Sequence, residues 1–129
     1  MTGASILFVC WIPVTSPSDK VTWAMIPILC AKACLTGVGE ETFYRGFLQP
    51  AAMDWLGSKM GIIYQAAVYA SFHVASIRKE QLLAGLAFLS FVFILGLVFG
   101  AVTQRTKGIG LAATVHVTID MAVEWGNIC

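Results

Sequence analysis

Six ionisable residues carry most of the side-chain chemistry that this 129-residue chain could use. They are Glu40, Glu41, Arg45, His73, His116 and Asp120. Five of the six lie within or beside stretches that are apolar enough to span a bilayer. Because an uncompensated charge in hydrocarbon is energetically costly, ionisable groups in such stretches usually have a function. We therefore treat all six as candidate site residues.

Three pairs of polar residues are separated by four positions, so each pair shares one face if its segment is helical. The pairs are Glu41 with Arg45, Tyr69 with His73, and His116 with Asp120. Taken singly, a Glu–Arg pair of this kind is usually a solvated salt bridge, and a buried histidine is often a packing residue. Together, in a chain with few charges and with both of its histidines in apolar segments, the pairs favour a functional site.

The glutamate pair predicts acid–base chemistry. Two adjacent carboxylates cannot both ionise cheaply in a low dielectric, so we expect Arg45 to hold one charged while the other keeps a proton near neutrality. A glutamate tuned in this way, beside a neutral imidazole, can take a proton from water, which then attacks a carbonyl carbon. A second imidazole can donate to the developing oxyanion. The set predicts a hydrolase without a nucleophilic side chain, and amide cleavage inside the membrane is the expected reaction.

The three motifs resemble those of the CPBP family, which comprises CAAX prenyl proteases and bacteriocin-processing (Abi) intramembrane proteases. The sequence EETFYR at residues 40–45 is similar to the family's EExxxR motif. Residues 69–73 are similar to FxxxH, and residues 116–120 to HxxxN. The motifs occur in the family's order and cover roughly residues 32–125, so their joint occurrence is far more specific than any one of them.

The resemblance implies a role for each matched residue. Glu40, with His73, would activate the attacking water, and His116, with Asp120, would form the oxyanion site. Two positions depart from the family pattern, because Tyr69 replaces a Phe and Asp120 replaces an Asn. An ionised Asp cannot donate to an oxyanion, so Asp120 would have to be protonated, fix the tautomer of His116, or bind a cation.

The resemblance further implies that Glu41 and Arg45 orient and balance the site rather than react. Family members are commonly described as metalloproteases, and three protein ligands plus water are what a catalytic zinc ion uses. If Zn²⁺ is present, its expected ligands are His73, His116 and Glu40, with another of the acids as a substitute for Glu40. Since the chain has no HExxH motif and the chemistry can run without a metal, we prefer a metal-free mechanism and keep zinc as the alternative.

Composition places the chain in a membrane. Hydrophobic residues make up 58% of it, charged residues make up 12%, and the mean hydropathy is +0.81, whereas a soluble domain is about 45–50% apolar. The expected partner is the lipid bilayer, and the expected location is the cell membrane, as a multi-pass protein. A net charge of +1 with scattered basic residues argues against nucleic-acid binding. The four cysteines show no metal-binding or disulfide spacing.

Four apolar segments and the region of the glutamate pair predict an all-α, polytopic transmembrane bundle of about five helices. Residues 82–102 carry no charge and, at about 1.5 Å per residue, can cross a hydrocarbon core of about 30 Å. Residues 21–38 are a second candidate span, interrupted by a proline and a lysine. Residues 62–77 and 109–125 each contain one histidine and are expected to be shielded by neighbouring helices.

The glutamate pair is expected to begin a helix of its own. Glycines within residues 37–39 are expected to end the preceding helix, so that the two acids lie at the positive dipole end of a helix over about residues 40–55. Pro50 cannot donate a hydrogen bond to the carbonyl of Gly46, so we expect it to bend this helix.

The chain is predicted to contain one catalytic domain. Residues 21–129 form the expected protease core, and residues 1–20 form a stub that fits either a poor signal segment or a truncated first span. If the helices alternate in direction, Lys59, Arg105 and Lys107 share one side, which we expect to be cytoplasmic.

The predicted function is intramembrane endopeptidase activity on a membrane-associated or prenylated protein or peptide. Two alternatives remain open. One is a catalytically inactive relative that acts as a membrane immunity or binding protein. The other is a small proton-coupled carrier, which would also explain intramembrane Glu and His residues.

Overall fold

The computed structural model describes residues 25–77 and 82–126, and the regular structure in these ranges is entirely helical. The elements are α1 (Ile26–Glu41), a π-helix (Thr42–Leu48), α2 (Gln49–Leu56), α3 (Ser58–Phe72), a short 3₁₀ turn (Val74–Ser76), α4 (Leu82–Thr106) and α5 (Gly110–Gly126). Because α1, the π-helix and α2 follow one another without a break, the described residues form four helical rods. The all-α prediction is confirmed, whereas a bundle of about five helices is not, and the predicted N-terminal stub at residues 1–20 lies outside the described ranges.

Helix α1 continues through the glycines that were expected to end it. Gly37 is buried, and a Cβ atom there would lie 2.8 Å from a methyl group of Val117 on α5. This glycine therefore allows two helices to approach closely and does not terminate one. The glutamate pair lies at the C-terminal end of α1, so the predicted placement of Glu40 and Glu41 at a helix N-terminus was wrong.

The helix changes type just before Pro50. Proline lacks an N–H, and in an α-helix its ring crowds the carbonyl four residues earlier, which here belongs to Gly46. The structure has a π-helix over the seven residues before Gln49. The backbone N–H of Gln49 donates to the carbonyl of Tyr44, five residues earlier in the chain. Pro50 then lies in the first turn of α2, where a proline is tolerated.

Helix α4 is the one helix in the described ranges that is long and apolar enough to cross a membrane. Its 25 residues include the predicted span at 82–102 and extend it to Thr106. Its buried residues follow helical spacing along a single stripe: Val92, Gly96, Phe99, Gly100 and Thr103. Large apolar side chains on its other faces, such as Leu83 and Ile94, are exposed.

Buried glutamine amides hold α4 against its neighbours. The Nε2 atom of Gln65 on α3 donates to the carbonyl of Gly96 at 2.8 Å, and Nε2 of Gln49 on α2 donates to the carbonyl of Gly100 at 2.9 Å. The glycines permit this approach, since a Cβ atom on Gly96 would lie 3.0 Å from that of Ala66. Small residues and interhelical side-chain hydrogen bonds are the usual means of packing helices in membranes.

Helix α3 ends earlier than predicted. It stops at Phe72, and His73 occupies the position after it, ahead of the 3₁₀ turn. His116 therefore lies within its predicted helical segment, on α5, whereas His73 lies just beyond the end of α3 and not inside a helix that reaches residue 77.

Candidate active site

Arg45 and Glu41 form a fully buried ion pair. The Nη1 atom of Arg45 donates to Oε1 of Glu41 at 2.9 Å, and both side chains are 0% exposed. The guanidinium carbon of Arg45 lies 4.4 Å from the ring centre of Tyr69, 5.5 Å from that of Phe99 and 5.8 Å from that of Tyr44. Stacking on aromatic rings compensates in part for the lost hydration of a buried cation. The pair is therefore an internal element of the site and not a solvated salt bridge.

The same carboxylate oxygen holds His116. Nδ1 of His116 lies 2.8 Å from Oε1 of Glu41, across helices α5 and α1. Because an ionised carboxylate can only accept hydrogen bonds, Nδ1 is the donor in this contact. Glu41 thus receives donors from both Arg45 and His116, and it fixes the orientation of the imidazole ring so that Nε2 faces the opposite way.

Two further carboxylates lie near the Nε2 atom of His116. Its Nε2 atom lies 3.7 Å from Oε2 of Glu40 and 3.7 Å from Oδ1 of Asp120. These distances are longer than direct hydrogen bonds. Glu40 and Asp120 are 27% and 28% exposed, whereas Glu41 is fully buried. Glu40, Asp120 and Nε2 of His116 therefore form the more accessible side of this cluster, and Glu41 forms its buried side.

His73 lies beside this cluster, across the ring of Tyr69. Its Nδ1 atom donates to the backbone carbonyl of Tyr69 at 2.9 Å, and the two ring centres are 4.9 Å apart. With Nδ1 as the donor, Nε2 of a neutral His73 is the basic nitrogen. Among the described residues, the ion-pair contact of Glu40 is with His116. The predicted pairing of Glu40 with His73 stays a prediction.

The alternative zinc site does not fit this arrangement. In the part of the chain that the structure describes, no three His, Cys, Asp or Glu side chains are placed to hold a metal ion. Zinc ligands must converge at about 2.0–2.3 Å from one point. We therefore derive no step through a metal ion.

Sequence reasoning missed three buried residues of this region, Gln49, Tyr44 and Phe99. Gln49 is buried four residues after Arg45, and Tyr44 and Phe99 contribute rings beside the guanidinium. For Gln49 a signal was available, because it continues the four-residue spacing of Glu41 and Arg45. For Phe99 there was none, since it is one aromatic residue among several in α4.

Comparison with known proteins places the chain in a family context. The model of the family described as type II CAAX prenyl endopeptidase Rce1-like matches residues 22–122, a range that contains every residue of the site. No match was found among curated proteins or among solved structures.

Proposed function

The chain belongs to the type II CAAX prenyl endopeptidase Rce1-like family, whose members are membrane-integral proteases, and on this basis we propose that it is an intramembrane endopeptidase. Its substrate is a membrane-associated or prenylated protein or peptide, in which it hydrolyses a peptide bond. Residues 21–129 are its protease core, and the chain crosses the cell membrane more than once.

The observation that carries the mechanism is the setting of the His116 ring. Its Nδ1 atom is tied to buried Glu41, and its Nε2 atom faces the accessible Glu40 and Asp120. A substrate carbonyl that enters on this side meets a carboxylate base and an imidazole donor together. Such a convergence supports acyl transfer to water, with both groups in place before the substrate arrives.

Glu40 acts as the general base. It is the more accessible member of the glutamate pair, and the charge on Arg45 is already balanced by Glu41. Glu40 removes a proton from the attacking water, assisted by His73, and the resulting hydroxide adds to the scissile carbonyl carbon. The proton taken up by Glu40 then passes to the leaving amine, so the site returns to its starting protonation.

His116 and Asp120 stabilise the oxyanion. Because Nδ1 of His116 already carries a proton, Nε2 donates to the developing negative charge when the ring is an imidazolium, and protonated Asp120 donates beside it. Glu41 and Arg45 do not touch the reacting atoms in this scheme. They are positioning residues that hold the His116 ring in a fixed orientation.

The decisive experiment compares Glu40→Gln with the wild type in cleavage of a membrane-embedded peptide, prenylated and unprenylated, in reconstituted vesicles. Loss of the base should lower the cleavage rate by at least about 10²-fold, while insertion and folding are unchanged. Asp54→Asn, which neutralises an exposed carboxylate on α2, is the matched control and should cleave normally.

Near-normal cleavage by Glu40→Gln would contradict the assignment of the base. A wild-type protein that binds these peptides without cleaving them would instead be an inactive relative with a binding or immunity role. Transport that requires an ion gradient would identify a carrier.

A further inference from the structure

The buried face of the first helical rod repeats every four residues. The residues with this spacing are Ala33, Gly37, Glu41, Arg45 and Gln49, and Tyr44 and Ala52 are buried beside them. An α-helix has about 3.6 residues per turn, so a spacing of four advances the side chain by about 40° at each step. Over the four steps from Ala33 to Gln49 the drift would be about 160°. A continuous α-helix would therefore turn the last members away from the neighbours that bury the first.

The π-helix removes this drift. Its hydrogen bonds join residues five apart, so each turn holds more residues than a turn of α-helix. A four-residue step inside Thr42–Leu48 therefore falls short of a full turn and rotates the side chain back. Glu41 can then meet His116 on α5 while Gln49 still reaches the carbonyl of Gly100 on α4.

The cause of the π-helix is at its C-terminal end. The last hydrogen bond of the π-helix runs from the backbone N–H of Gln49 to the carbonyl of Tyr44, and Pro50, which is exposed, is the next residue in the chain. An α-helical path would bring the proline ring against the carbonyl of Gly46 and leave that carbonyl without its donor. The wider π turn relieves this conflict, because it does not require a bond from residue 50 to Gly46.

We propose that Pro50 is a positioning residue for the site, because it holds Thr42–Leu48 in the π form and thereby directs Glu41 and Arg45 towards His116 and Tyr69. The side chain of Pro50 is exposed and acts on the site through the backbone alone. The inference concerns the geometry of the site and goes beyond the proposed reaction, so it can be tested whether or not the chain cleaves peptides.

The test is Pro50→Ala, which supplies an N–H at position 50 and removes the ring. Both changes favour the α-helix over the π-helix. The first readout is the NMR signal of the His116 Nδ1 proton, which in the wild type is held by Glu41. We expect this signal to shift, or to be lost through exchange of the proton with water. The backbone amide of Gln49 should change its hydrogen-exchange rate, because an α-helical hydrogen bond replaces its bond to Tyr44.

The second readout is cleavage kinetics. A displacement of the site by about 1 Å lowers catalysis by about 10²-fold, so we expect kcat to fall by about that factor with KM nearly unchanged. Pro27→Ala is the matched control, because Pro27 is also exposed and lies in the first turn of α1, far from the π-helix. It should alter neither the His116 signal nor kcat.

Thermal stability separates positioning from general damage. Pro50→Ala should still unfold in one cooperative thermal transition, since the backbone hydrogen bond that it adds offsets in part the weakened contact between Glu41 and His116. Loss of the cooperative transition would overturn the proposal, and so would a wild-type His116 signal in the variant. If the wild type does not cleave any peptide, the proposed function fails, and the His116 and Gln49 signals still decide the role of Pro50.

Discussion

Glu41 is the residue on which the charge balance of the site depends. One of its oxygens accepts hydrogen bonds from Arg45 and His116, and all three side chains are buried. Its second oxygen and two nitrogens of Arg45 have no hydrogen-bond partner among the described residues. The pair is therefore sensitive to the loss of either member, because a lone buried charge keeps its desolvation cost without compensation.

Replacement of the Arg45 cation should destabilise the fold. Arg45→Met leaves the Glu41 carboxylate without its counter-charge, and breaking a buried pair in this way costs about 3–5 kcal/mol in the free energy of unfolding. Arg45→Lys should also impair cleavage, because an ammonium cannot reproduce the guanidinium's stacking on Tyr69. Arg105→Met is the matched control at an exposed position, with an expected change within about 0.5 kcal/mol. Equal stability of the two Met variants, measured by denaturant unfolding in detergent, would show that the pair is dispensable.

Asp120 gives a prediction about pH. Oδ1 of Asp120 lies 3.7 Å from Nε2 of His116, and Asp120→Asn puts a permanent amide donor in its place. Cleavage should therefore persist in this variant. It should also decline less than in the wild type as pH rises, because the donor no longer depends on protonation of a carboxyl group. The test measures cleavage of a membrane-embedded peptide across a range of pH, with and without a strong chelator. The metal content of the purified protein is measured alongside. Chelator-sensitive activity that zinc restores, together with an inactive Asp120→Asn variant, would contradict the metal-free mechanism.

At the scale of elements, two helix contacts set the distances within the site. Helices α1 and α5 approach closely at Gly37 and Val117, one turn away from the bond between Glu41 and His116. Helices α3 and α4 approach at Gly96, where Gln65 bonds across the contact. Each contact depends on a glycine, so the separation of the candidate site residues follows from backbone packing.

A methyl group at Gly37 should push α1 away from α5. Its Cβ atom would lie 2.8 Å from a side-chain carbon and 3.1 Å from the backbone nitrogen of Val117, and overpacking of this kind costs about 1–3 kcal/mol. We expect Gly37→Ala to lower both stability and cleavage, because the bond between Glu41 and His116 must lengthen. Gly39→Ala is the matched control, since nothing lies within 4 Å of its Cβ position. It should be neutral or more stable by up to about 1 kcal/mol. Thermal unfolding that does not distinguish the two variants would argue against close packing at Gly37.

At the scale of the whole molecule, the two turns at one end of the bundle are neighbours. Nε2 of Gln104, near the end of α4, donates to the hydroxyl of Ser58 at the start of α3. Lys59 and Lys107 therefore belong to the same end, in line with the predicted alternation of helices. The 15 residues of α3 rise about 22 Å from this end, so Val74, just after α3, lies near the opposite end.

This arrangement predicts the accessibility of introduced cysteines. In a cysteine-free background, Lys59→Cys and Lys107→Cys should react with a membrane-impermeant maleimide from the same side of sealed vesicles. Val74→Cys, which is exposed at the far end, should react from the other side. Labelling of the two lysine positions from opposite sides would contradict the antiparallel packing of α3 and α4.

The sequence by itself determined the features that depend on neighbouring residues. The four-residue spacing of Glu41 with Arg45 and of His116 with Asp120 placed each pair on one helix face, and both pairs are in contact in the structure. The uncharged run at residues 82–102 predicted α4, because length and apolarity alone decide whether a helix can cross a bilayer. The CPBP resemblance of the motifs agrees with the family match over residues 22–122.

Only the tertiary structure decided how these local pieces meet. Glu41 binds His116, which is 75 positions away in the sequence, and no local pattern shows which of two adjacent glutamates turns inward. Gly37 was read as a helix end because glycine has a low helix propensity, yet packing against Val117 outweighs a propensity cost of about 1 kcal/mol. Several local conformations of these segments are close in free energy, and long-range contacts select among them. The orientation of the site therefore depends on those contacts and could not be read from the local sequence pattern.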